Sequence, residues 1–84
     1  MTPIKRTTQP LYRVEFVLPI INDRQLWSNY INLRDAEEAA YGLITSGHAI
    51  ETEVFAIQPG GAKTSIYHAK QASDGAILTR RTSQ

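Results

Sequence analysis

The chain reads as an α+β domain: an antiparallel β-sheet of four to five strands with one α-helix packed on one face, in the order ββαββ(β). Two observations predict it. Segments with a two-residue apolar period flank a single segment with a helical period. Short turns rich in Gly, Pro, Asn and Asp separate the neighbouring strands, so consecutive strands should close as antiparallel hairpins. The 84 residues form one domain, 1–84, with 1–10 and 82–84 expected as flexible ends.

The first ten residues, MTPIKRTTQP, hold two prolines, three threonines and two basic residues and read as an irregular arm. In LYRVEFVL, residues 11–18, Tyr12, Val14, Phe16 and Leu18 alternate with Arg13 and Glu15, the pattern of a half-buried strand. Pro19 ends it, having no N–H for the ladder. Asn22 and Asp23 form a turn pair, and residues 25–32 return as a second strand. Its alternation places Trp27 and Ile31 on one face and Leu26 and Tyr30 on the other.

A helix is predicted over residues 33–46. Ala36, Ala39, Ala40, Leu43 and Ile44 make one apolar stripe. Asn32 is its N-cap, Asp35 complements the positive end of the dipole, and Ile31 is placed to staple onto Ala36. Gly47 supplies a left-handed stop. Strands follow at 49–57, with Ile50, Val54 and Ala56 against Glu51 and Glu53, and at 64–70, with Ile66 and Tyr67 on opposite faces. QPGGAK, residues 58–63, is the turn between them. Ser73-Asp74-Gly75 is a hairpin turn, and AILTRR, residues 76–81, is a final short strand.

Composition narrows the function. Hydrophobic residues are 42% and charged residues 20%, which is globular rather than disordered. No apolar run approaches the roughly 20 residues that span a bilayer, and the start lacks the apolar core of a signal peptide. There are no cysteines, which removes disulfides, thiolate metal sites and cysteine nucleophiles together. A cytoplasmic location is the expectation. The net charge of +1 conceals an uneven distribution: +3 over residues 1–13, 0 over 14–34, −5 over 35–62 and +3 over 63–84.

No catalytic, metal-binding or cofactor-binding residue emerges, and a non-enzyme is expected. PGGAKTS, residues 59–65, has lysine and threonine near glycines, but the first glycine of a phosphate loop is missing and a strand follows instead of a helix. His48 and His68 have no apparent nucleophile or orienting partner, and Ser28, Ser46, Ser65 and Ser73 lie in no nucleophile-elbow pattern. Glu37 and Glu38 point different ways on a helix, whereas Glu51 and Glu53 share a strand face.

Two binding surfaces remain. Glu37, Glu38, Glu51 and Glu53, with Tyr41, Trp27 and Tyr30, can present an acidic, aromatic surface to a protein partner, including one that normally holds nucleic acid. Among the seven aromatics, Phe16 and Phe55 read as core, and Tyr41 falls outside the helix stripe. The alternative is a nucleic-acid surface formed by Lys5, Arg6, Lys63, Lys70, Arg80 and Arg81, with aromatics stacking bases. An unpaired outer strand would favour a homodimer.

In outline the chain resembles the small inhibitor proteins encoded by bacteriophages and other mobile elements, the anti-CRISPR proteins among them. The likeness rests on size, the absence of cysteine, LYRVEFVL and AIETEVFAI as strands, and RDAEEAAYGLI as the single helix between them. That class has no defining motif, so no residue role carries over. The resemblance implies inhibition by surface occlusion: binding a nucleoprotein effector and blocking its site.

Overall fold

Strand backbones need ladder partners and their apolar face a cover, and both are present. The computed structural model describes residues 11–21 and 23–82. Strands β1 (Leu11–Val17) and β2 (Arg24–Tyr30) are followed by helix α1 (Leu33–Thr45), then β3 (Glu51–Ile57), β4 (Lys63–Gln71) and β5 (Ile77–Arg81). They form one antiparallel five-stranded sheet in the order β2-β1-β3-β4-β5. The second strand stops at Tyr30, so Ile31 and Asn32 lie outside it. Strand β4 begins at Lys63, one residue before the expected start.

Helix α1 lies across one face. Ala36, Ala40, Leu43 and Ile44 are buried against Val14 and Phe16 of β1 and Val54 and Ala56 of β3. The alanines bring the backbone close, and Thr52 uses that closeness to donate its Oγ1–H to the Ala40 carbonyl at 3.1 Å. Asn32 caps the start, its Oδ1 accepting from Arg34 N at 2.8 Å. The end is a Schellman motif. Gly47, at φ 85°, donates to Ile44 O, and His48 N donates to Leu43 O. The expected staple from Ile31 is not made: Ile31 is 70% exposed while Ala36 is fully buried.

The β3–β4 and β4–β5 hairpins use one loop design. Gly61 N donates to Gln58 O and Gly75 N to Ala72 O, each glycine standing at positive φ after two turn residues. Thr82, expected in a loose end, donates its N–H to Ile66 O. Residues 1–10, Asn22, Ser83 and Gln84 lie outside the described residues, and with them the expectations for Lys5, Arg6, the arm and the last two residues of the tail. No described helix is long and apolar enough to cross a membrane.

Two β-bulges alter the predicted faces. One breaks the β1–β2 register between Val14 and Glu15, leaving Trp27 as the extra residue of β2. Trp27 and Tyr30, expected on opposite faces, therefore stand on the same one, where Trp27 Nε1 donates to Tyr30 Oη at 3.2 Å. The other breaks the β3–β4 register between Val54 and Phe55. Both Ile66 and Tyr67 then enter the core under α1, correcting the expectation that they diverge. Phe55 is a correction too. It lies on the face away from the helix, under Lys63 Nζ at 4.3 Å from the ring centroid, and is not core.

Candidate functional site

The face without the helix is a charge network. Glu15 and Glu53 are directly opposed across β1 and β3, and Glu51 lies two residues along. Three like charges on one face would repel, but cations from both sides settle among them. Arg24 reaches from β2 to within 3.6 Å of Glu15, 3.1 Å of Glu53 and 3.7 Å of Glu51. Lys63 Nζ lies 3.3 Å from Glu15. Arg13 Nε lies 3.0 Å from Glu15 Oε2 but lacks hydrogen-bond alignment, so that contact is Coulombic only. Ser65 donates to Glu53, and His68 Nε2 is 2.6 Å from Glu51. The His68 hydrogen bond holds the Glu51 carboxyl below its ordinary value, against an opposing effect of burial, with the charges of His68, Arg24 and Lys70 assisting.

The helix side carries a different chemistry. Glu37 forms a two-pronged pair with Arg81, whose Nε lies 3.0 Å from Glu37 Oε2, and the Arg81 guanidinium sits over the Tyr67 ring. Burial, with the Glu37 charge adding to it, pushes the Tyr67 phenol above its ordinary value. A cleft of about 290 Å³ opens here, with Tyr12, Leu33, Ala56 and Ile66 among its lining and the Glu37–Arg81 pair beside them. Its charged groups are already paired to each other, so it offers apolar volume rather than reactive groups.

On the other flank of α1, Trp27 and Tyr30 project from edge strand β2 beside Ala39, Gly42 and Leu43. The helix leaves Trp27 48% exposed, and Phe16 supports its ring edge-on at 5.8 Å. Gly42 is a notch in the helix: a Cβ there would meet nothing within 4 Å. Gly42 also borders a shallow depression lined by Arg34, Glu37, Glu38 and Tyr41. Gly42 thus separates two depressions, one holding Trp27 and Tyr30 and the other Tyr41 and Glu38. At its end, Ser46 Oγ lies 2.7 Å from His48 Nδ1.

The expected site residues are therefore divided. Glu37, Glu38, Tyr41, Trp27 and Tyr30 share the helix side. Glu51 and Glu53 lie on the opposite face of the sheet and are neutralised there, so the two acidic groups do not form one surface. Of the basic alternative, Lys63 and Arg81 are held by Glu15 and Glu37 on opposite faces. Lys70 and Arg80 share the open face near the β5 edge, Lys70 opposite Leu78 and Arg80 opposite His68. Arg24 and Gly42 were not singled out from sequence. Arg24 sits in a locally neutral stretch, and a glycine at a good stripe-breaking position gives no signal for a notch.

Among the described residues no cluster of three or more His, Cys, Asp or Glu is arranged to hold a metal ion. No protein-family model matches the chain, and neither a curated protein nor a solved structure matches it.

Proposed function

We propose that this chain is a non-catalytic protein-binding protein, an inhibitor or adaptor that works by covering its partner's surface. Its contact is Trp27, Tyr30 and Tyr41 around the Gly42 notch, with Glu38 at the rim. The observation that carries the reading is the Trp27–Tyr30 pair. A bulge turns both rings to one side, a hydrogen bond couples them, and the helix leaves Trp27 half-exposed. Rigid aromatic side chains with a polar tip, beside a recess, are what interface anchors are made of. The rim selects the partner's chemistry. Asp35 and Glu38 are exposed at the helix start, and among the described residues the sole ion-pair contact of Glu38 is Arg34 at 4.0 Å. A protein presenting an apolar side chain for the notch and a lysine or arginine for the rim complements this surface. Occlusion of a nucleoprotein effector, the mode of the small phage-encoded inhibitors of the anti-CRISPR kind, is the finer form of the proposal. There the basic surface that grips nucleic acid would meet the acidic rim.

The test is affinity capture from host lysate, with and without nuclease treatment, with four baits: the parent protein, Trp27→Ala, Glu38→Lys and Arg80→Ala. The proposal expects a protein retained by the parent and by Arg80→Ala and lost with Trp27→Ala and Glu38→Lys. Retention that vanishes with nuclease, or that only Arg80→Ala abolishes, replaces it with nucleic-acid binding on the open face.

A further inference from the structure

The two edges of the sheet are not equivalent. The edge at β2 is broken by the Trp27 bulge, which disrupts any ladder a second chain could build on it. The edge at β5 is regular, its five residues pairing with β4 in unbroken register.

The hydrogen bonds of β5 also define which groups face outward. Ala72 N donates to Ala76 O and Thr82 N donates to Ile66 O, so the even-numbered residues of this segment turn their backbone groups toward β4. The N–H and C=O groups of Ile77, Thr79 and Arg81 therefore point out from the sheet. These three residues are symmetric about Thr79.

We propose that β5 is a homodimerisation strand, pairing antiparallel with β5 of a second copy about a two-fold axis at Thr79. In that register Thr79 faces Thr79 of the second copy, and Ile77 and Arg81 face each other in both directions. The outward groups then match in about six hydrogen bonds. Side chains match as well. Leu78, 59% exposed on the open face, stands opposite Arg80 of the second copy, whose methylenes cover it. No arginine opposes an arginine, and Arg81 already carries the Glu37 carboxylate as its counter-charge. A five-residue seam is far smaller than the roughly 1,200 Å² of a stable interface, so the dimer is weak and concentration-dependent. It joins two sheets edge to edge and does not use the surface around Trp27.

The test uses the full chain and two readouts: molar mass across a concentration series up to about 1 mM, the range of weak association, and hydrogen exchange of the Thr79 amide across the same series. The expected result is a rise in mass with concentration, accompanied by slowed exchange at Thr79. Thr79→Pro removes only an outward N–H, which an edge strand tolerates, and should melt as a folded protein that stays monomeric throughout. A monomer at every concentration overturns the proposal. A dimer in which Thr79 exchanges as freely as in the monomer, or one that persists in folded Thr79→Pro, also overturns it.

Discussion

Glu15→Gln removes one charge from the most enclosed carboxylate of the sheet and leaves its shape. The Glu15 side chain is 7% exposed, and Arg13, Lys63 and Arg24 approach it at 3.0, 3.3 and 3.6 Å. At an effective dielectric of about 20, each such contact is worth about 5 kcal/mol before desolvation. Desolvating a buried carboxylate costs several kcal/mol in return. The three cations keep 36%, 45% and 40% side-chain exposure, so solvent screens them. Exposed pairs contribute about 0.2–1 kcal/mol each, and breaking a buried pair costs about 3–5 kcal/mol. A buried acid among half-exposed bases falls between, at about 2 kcal/mol. For a domain of this size about 4–8 °C accompanies each kcal/mol, so the melting midpoint should fall by about 8–16 °C. The assay is thermal unfolding at pH 7 followed by circular dichroism, with Glu38→Gln as the control on the exposed helix start. A fall under about 2 °C for Glu15→Gln, or one no larger than the control's, would refute the reasoning that this network holds β1, β2 and β3 in register.

Further outcomes follow from single contacts. The lowered carboxyl of Glu51 contributes stability that is complete above its ordinary value of 4.5 and is lost as pH falls through the lower folded value, so Glu51→Gln should flatten the acid limb of a urea-denaturation pH series while changing its shape little above pH 6. Gly47→Ala should cost about 1–2 kcal/mol, read by urea midpoint, because φ is 85° and a Cβ would meet nothing within 4 Å, leaving backbone strain as the sole cost. Thr52→Val should cost about 1 kcal/mol by the same assay, the worth of the lost bond to Ala40 O in a pocket whose shape is kept.

The sequence made the elements legible because each rests on a local rule. Alternation at Tyr12, Val14 and Phe16, the Ala36–Ile44 stripe, the Asn32 cap and the Gly47 stop all act within a few residues, and each is present. The faces were less legible. A bulge inserts one residue and inverts the parity of everything beyond it, and no composition signal marks Trp27 or the Ile66–Tyr67 step as such a place. Phe55 was misplaced by residue type. On a central strand its parity with Glu51 and Glu53 sends it to the charged face, where Lys63 covers it. The acidic stretch 35–62 misled for a non-local reason. Its first half lies on α1 and its second on the opposite face of the sheet, where strand pairing delivers Arg24 and His68, both from outside the stretch, onto Glu51 and Glu53.

That partition bears on which face can bind. A partner arriving on the open face must keep every member of the Glu15–Glu53–Glu51 network satisfied while stripping its water, since an ion left unpaired under an interface is costly. Its cations Arg13, Arg24 and Lys63 are already engaged, and a phosphate would have to draw them away from carboxylates within 3.7 Å. The helix side sets a lower barrier. Trp27 loses little on desolvation because its N–H already donates to Tyr30 Oη, and its position is fixed by the bulge and by Phe16, so little side-chain freedom remains to be lost. The same 13-residue helix that closes the core also supplies the notch at Gly42. On the proposed function, the recognition chemistry stays on the covered side, and the open side is spent on holding the strands together.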